Sequence, residues 1–216
     1  MKHSAAVLAA ALLSGCASVG NLPPRAYYVL DDLASPGVTS HAARIDRVLL
    51  LGEVSASPFY DTQALVFSRA PGQRAYYQFA AWTERPGSRL TQLLTRRLDA
   101  RGGFRSVAAT TAGAKGDFVL NVRLEEFYHD ASANPGSVRI ELSAELVDRA
   151  QRAIVARHRF AQCAPTGGDA APAAVAAFDR AVTSLLDEVA AWVEDAAARD
   201  APLSDKVVLM PGQNSD

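Results

Sequence analysis

The residues best suited to covalent, metal or acid–base chemistry in this 216-residue chain are two cysteines and four histidines. Cys16 sits in LAAALLSGCAS, at the end of a short apolar run, and Cys163 closes RAIVARHRFAQC. His41, His129 and His158 fall in a loop, at a strand end and within a strand, without the close spacing that metal ligands use. His158 shares the apolar parity of its strand and reads as a hydrogen-bonded core histidine, since a functional histidine needs a positioned partner. Adjacent carboxylates occur at Asp31-Asp32 and Glu125-Glu126. Neighbours on a strand point to opposite faces, so Glu125 and Glu126 do not form one acid–base pair. Glu126 falls on the otherwise apolar parity, which reads as a strand fraying toward solvent. The chain has no G-x-S-x-G, H-E-x-x-H or G-x-x-x-x-G-K-[ST] motif. AGAKGD (112–117) lacks phosphate-loop spacing and reads as a connector. The expectation is therefore no catalytic residue, no metal site and no bound cofactor.

The chemistry that remains is at Cys16. Lys2 supplies a small positive start, and Ala5 to Leu13 is an unbroken apolar run. As a helix that run extends roughly 14 Å, at about 1.5 Å per residue. A bilayer core is about 30 Å thick, so the run has the build of a secretory signal rather than of a membrane span. Leu13-Ser14-Gly15-Cys16 resembles the lipobox of bacterial lipoproteins. That resemblance implies cleavage before Cys16, diacylglycerol on its thiol and acylation of the new amine. Residues 1–15 are then a lipoprotein signal peptide. Two or more acyl chains anchor a protein stably, at about 0.8 kcal/mol per buried CH2. Ala17, where such signals carry Asp for inner-membrane retention, implies an outer-membrane anchor facing the periplasm. With Cys16 lipidated, Cys163 has no intramolecular partner, so no internal disulfide is expected.

Taking 15 residues from 216 leaves 201, enough for one domain with a real core. Loss of Lys2 moves the net charge from −1 to −2. Neither that balance nor any basic tract points to nucleic acid. Residues 16–25, with Pro23-Pro24, read as a lipidated start and an extended tether.

The elements that must position any site follow in residues 26–199. AYYVLDD and RVLLLGEVSA contain strands, and Ala64–Phe67 and Ala75–Phe79 flank a Pro71-Gly72 turn as a hairpin. Leu90, Leu93, Leu94 and Leu98 then form one face of a helix, with Ser88 as N-cap, a stop at Gly102-Gly103, and Arg89, Arg96, Arg97 and Arg101 toward solvent. Three long strands alternate apolar and polar residues: DFVLNVRLEEFYHD, SVRIELSAELVDR and RAIVARHRFAQC. Phe118, Leu120, Val122, Leu124 and Tyr128 share the apolar parity of the first. Such strands describe an antiparallel meander with one buried and one wet face. Val175, Phe178, Val182, Leu185, Leu186, Val189, Trp192 and Val193 make a long helical stripe. The fold class is α+β: a two-layer sandwich, mainly antiparallel, with one face covered by two amphipathic helices. Residues 200–216 are expected to be a polar, mobile tail. Most aromatics precede the first helix. Tyr76-Tyr77 cannot both face inward from one strand, so Tyr76, Tyr77 and the nearby Trp82 are the partner-facing candidates.

Tyr28-x-Leu30-Asp31, then Trp82-x-Glu84-x-Pro86 before the helix, GGF, long strands and a closing helix form an ordered pattern behind the lipobox. This order resembles the auxiliary lipoprotein component of ABC-type transport systems that accompany mammalian-cell-entry (MCE) type lipid transporters, including the paraquat-inducible system. It covers nearly the whole mature chain; the alanine-rich closing helix and polar tail depart from it. The resemblance implies a non-enzymatic adaptor. Its partners would be an MCE-type substrate-binding protein with its ABC permease and ATPase, its cargo would be lipids, and a homo-oligomer is compatible with it. An envelope-assembly lipoprotein is the alternative reading. A lipid-modifying enzyme would need a Ser or His with a partner in a cleft.

Cys16→Ala is expected to block acylation and leave the protein uncleaved or soluble, measured by membrane fractionation. Unchanged membrane partition would overturn the lipoprotein assignment.

Overall fold

The structure is a computed structural model that describes residues 23–34 and 44–200. Cys16, His41 and the expected tail from 201 onward lie outside the described residues. The elements run β1 (Ala26–Tyr28), β2 (Ile45–Leu51), β3 (Ser55–Ala56), β4 (Ala64–Ser68), β5 (Ala75–Trp82), α1 (Pro86–Arg101), β6 (Phe104–Ala109), β7 (Phe118–Asp130), β8 (Ser137–Asp148), β9 (Ala153–Pro165) and α2 (Ala171–Asp200).

All nine strands join one sheet around β7. One edge of β7 pairs antiparallel with β8 along nearly its whole length, and β8 pairs antiparallel with β9. The expected meander is therefore present. The other edge of β7 pairs in parallel with three strands in turn: β2 at 118–120, β3 at 123–124 and β4 at 129–130. β6 extends the sheet beyond β2 in parallel, while β5 pairs antiparallel with β4 and β1 parallel with β5. The sheet is thus mixed and curled, which corrects the expectation of a mainly antiparallel two-layer sandwich. Parity marks the buried face of a strand but not the direction of its neighbour, which depends on how the chain returns.

The hairpin β4–β5 turns at Gly72, where φ is +74°. α1 starts at Pro86 with Arg85 at its cap, not at Ser88. Proline suits the first helical position because its φ is preset and its missing N–H costs nothing there. Gly102, at φ +67°, ends the helix as expected. Leu90, Leu93, Leu94 and Leu98 are buried, as is the α2 stripe except for the partly buried Trp192. Phe178 stacks on Phe127 at 4.3 Å and meets Trp82 edge-on at 5.4 Å, so α2, β7 and β5 share one aromatic centre.

Arg89, Arg97 and Arg101 do not face solvent as expected. Their side chains are 15%, 9% and 18% exposed. Arg101 forks onto Glu194 of α2 at 3.0 and 2.7 Å. Arg97 grips Asp32 at 2.5 and 2.7 Å and also bonds Asp187 of α2. Arg89 donates to the Leu30 carbonyl at 2.7 Å, and the Leu33 N–H donates to Thr183 Oγ1 at 2.8 Å. Burial pushes the Asp32 carboxyl up, but the Arg97 bonds outweigh it and hold the group below its ordinary value. Thus residues 30–33, which follow β1, are strapped to both helices.

A bulge falls between Leu124 and Glu126, where β7 carries one residue more than β8. Beyond it the parity inverts. Phe127 and His129 pair with Ile140 and Val138 and take the helix-covered face, while Glu126 and Tyr128 take the opposite face, where Arg74 covers the Tyr128 ring and keeps it buried. Glu126 is therefore not a frayed end, and the inward parity expected for Tyr128 is corrected. His129 is fully buried, with Nδ1 2.7 Å from the Tyr77 hydroxyl. His158, expected in the core, is exposed in the middle of the edge strand β9, edge-on to Phe160 and stacked on Trp192. Burial lowers the His129 pKa from 6.5, an effect only partly offset by Asp169 and Asp130.

Two outcomes follow for stability. Phe178→Ala removes the ring shared by three elements and is expected to cost about 3–5 kcal/mol, measured by denaturant unfolding. A loss below about 1 kcal/mol would contradict this packing. For His129, the folded state resists protonation while the unfolded state takes a proton near pH 6.5. Its contribution is complete above that pH and is lost as pH falls through the depressed folded value. His129→Gln should flatten the acid slope of stability below pH 6.5. An unchanged slope would show that His129 does not carry it.

Candidate docking site

The three partner-facing candidates part company in the structure. Trp82 is 2% exposed and packs on Phe127 and Phe178, so it is a core residue, and its assignment as partner-facing is corrected. Within Trp82-x-Glu84-x-Pro86, Pro86 opens α1 and Glu84 accepts a 2.7 Å hydrogen bond from Gln92. That pattern therefore builds the β5–α1 junction. Tyr77 points inward, and its hydroxyl meets His129 and also donates to the Asp169 carbonyl at 3.2 Å. Burial raises its pKa. Tyr76 alternates to the other face and is 45% exposed.

Tyr76 is part of a larger feature. Its ring stacks on Phe59 at 4.8 Å with 16° between planes, and Phe59, 37% exposed, also meets Tyr60 edge-on at 5.7 Å. The Tyr76 hydroxyl donates to the Phe59 carbonyl at 3.3 Å, closing β5 onto the segment before β4. Arg74 lies 3.6 Å over the Tyr128 ring, donates to the Tyr60 hydroxyl at 3.2 Å and pairs with Glu126 at 3.2 Å. Burial raises the Tyr128 pKa, with Arg74 opposing.

The sequence pairs Tyr76 with Tyr77, but Phe59, Arg74 and Tyr128 are joined to it only by the fold. Two causes bring them together. The bulge puts Tyr128 on the face opposite Phe127, under Arg74, and the tight turn returns β5 beside β4 so that Tyr76 lies opposite Val66. The result is an aromatic platform beside which Arg74 lies over the Tyr128 ring. Such a surface buries area with little loss of side-chain freedom and suits recognition rather than bond making.

No reactive arrangement competes with it among the described residues. His129 and His158 make no hydrogen bond to a carboxylate. No three His, Cys, Asp or Glu side chains gather as metal ligands. No described helix is long and apolar enough to cross a membrane.

The fold recurs in known structures. A crystal structure of protein XCC0632 from Xanthomonas campestris has 24% identity over 81% of this chain and 98% of its own, with a TM-score of 0.73. An uncharacterized protein of known structure has 14% identity, coverages of 79% and 99%, and a TM-score of 0.63. The hypothetical protein CT253 from Chlamydia trachomatis has 10% identity, coverages of 73% and 100%, and a TM-score of 0.50. These likenesses establish the fold. No curated protein matches the chain. The sequence model of the ABC-type transport auxiliary lipoprotein component matches residues 28–190, from the strand that starts the sheet to the last third of α2. The chain belongs to the family of ABC-type transport auxiliary lipoprotein components.

Proposed function

We propose that this chain is the lipid-anchored docking component of an MCE-type intermembrane lipid transport system. The signal peptide is removed, Cys16 carries the acyl chains, and the anchor sits in the outer membrane with the domain facing the periplasm. The partner is the system's MCE-type substrate-binding protein, which works with an ABC permease and ATPase, and the cargo is lipid. The chain itself catalyses nothing and needs no cofactor beyond its covalent lipid.

The observation that carries this reading is the exposed Phe59–Tyr76 stack on the open face of the sheet. Aromatic anchors of this kind dominate protein interfaces. The strap supports the same reading, because it fixes residues 30–33, on the N-terminal side of the domain where an anchor would connect, to both helices. An adaptor that holds a partner at a membrane needs such a joint.

The double variant F59A/Y76A tests the reading. Both side chains are partly solvated, so the variant should fold and remain membrane-bound. Co-purification of the transporter's binding protein in mild detergent should fall by roughly tenfold or more, the loss expected of an interface anchor. Undiminished co-purification would remove this face from the interface. Purification of the unaltered protein with no transport subunit would overturn the function itself.

A further inference from the structure

A second feature lies on the same open face, nearer the middle of β7. It is an open groove of about 580 Å³, lined by Ser55, Asn121, Arg123, Ser143, Arg157 and Arg159 among others. Register explains why these side chains meet. Ser55, Arg123, Ser143 and Arg159 lie opposite one another across β3, β7, β8 and β9. Asn121, Glu145 and Arg157 form the next row. Two strand spacings separate Arg123 from Arg159, roughly 10 Å between their Cα atoms. The residue between them is a serine, so the groove floor is short where its walls are long.

The charges in the groove do not cancel. Arg157 Nε donates to Glu145 at 2.7 Å, and Arg123 Nε donates to Glu125 at 3.3 Å. The Ser143 hydroxyl also donates to Glu125, at 2.8 Å. Both arginines are thus held by one nitrogen, and their terminal nitrogens make no hydrogen bond among the described residues. Arg159 makes no ion pair among them. Two carboxylates therefore face three guanidinium groups, and those carboxylates orient the arginines without consuming their forks.

We propose that this groove binds a phosphate group. A guanidinium fork matches phosphate geometry and remains charged at any working pH. A tetrahedral anion presents oxygens in several directions, so it can meet forks from β7 and β9 together with hydroxyls from the floor. A carboxylate has two oxygens in one plane and would engage one fork. The groove's volume is within the range of small-ligand sites and leaves room for the group that bears the phosphate. That group is either a soluble phosphoester or a phospholipid headgroup; the phosphate is common to both. The inference does not depend on the docking reading: it concerns different residues, so phosphate binding and partner co-purification can fail independently.

Calorimetric titration of the full chain in a phosphate-free non-ionic detergent tests it. The probes are inorganic phosphate, glycerol 3-phosphate, dihexanoyl phosphatidic acid and a hexaglutamate peptide. The phosphate compounds should bind with Kd on the order of millimolar or tighter, weakening as salt rises. R123Q/R159Q should lose roughly tenfold or more in affinity, as expected when charge-assisted contacts are removed. R199Q, at the far end of α2, should lose none. Tighter binding of dihexanoyl phosphatidic acid than of glycerol 3-phosphate would identify a lipid headgroup, and equal binding a soluble phosphoester. No phosphate binding, an unaltered affinity in R123Q/R159Q, or a preference for hexaglutamate would overturn the proposal. Should the double variant melt early, R159Q alone serves, because Arg159 has no ion pair to lose.

Discussion

Backbone hydrogen bonding along both edges of β7 is the constraint on which the rest of the molecule depends. The strand is 13 residues long, about 43 Å at about 3.3 Å per residue, and one of its faces is apolar. A strand buried in this way needs partners for its peptide groups along both edges. β8 satisfies one edge with a single long antiparallel ladder. The other edge is divided among β2, β3 and β4, each too short to do it alone. This division brings the two ends of the sheet, β2–β6 and β4–β5–β1, onto one spine and gives the sheet its curl.

Once the spine is fixed, its two faces have different fates. α1 and α2 seal the apolar face through their leucine and valine stripes and the Trp82–Phe127–Phe178 centre. The arginines of α1 then tie the helices to each other and to residues 30–33. The open face keeps polar residues, short ion pairs and, past the bulge, Tyr128 under Arg74 beside the Phe59–Tyr76 stack. Structure and proposed recognition are thereby separated: one face holds the fold together and fixes residues 30–33, and the other carries the surface proposed to meet a partner. Membership in a family of transport auxiliary lipoproteins gives that division a use.

The parts of this arrangement that repeat with a fixed period are legible in the sequence. The α2 stripe and the alternation in β8 lie where the periodicity puts them. The hairpin turn and the Gly102 stop follow from residue chemistry. What escaped the sequence depends on single local events or on distant neighbours. One extra residue at the bulge reversed the faces of Phe127, Tyr128 and His129, which no period announces. Parallel pairing of β2, β3 and β4 with β7 is set by chain return rather than by strand composition. Arg97 looks like a solvated helix residue until Asp32 and Asp187 arrive from elsewhere in the chain. The aromatic surface was half legible, because strand alternation put one of Tyr76 and Tyr77 outward without saying which, while Phe59 and Arg74 carried no such signal. Trp82 is the converse case, an aromatic near the candidates that the core requires.

Site-specific photocrosslinking in intact cells tests the central claim most directly. A photoreactive residue at position 76, on the open face, is predicted to crosslink to a subunit of the transport system. The same residue at exposed position 191, on the helical side, is predicted not to. Crosslinks to the transporter from position 191 and none from position 76 would contradict the account.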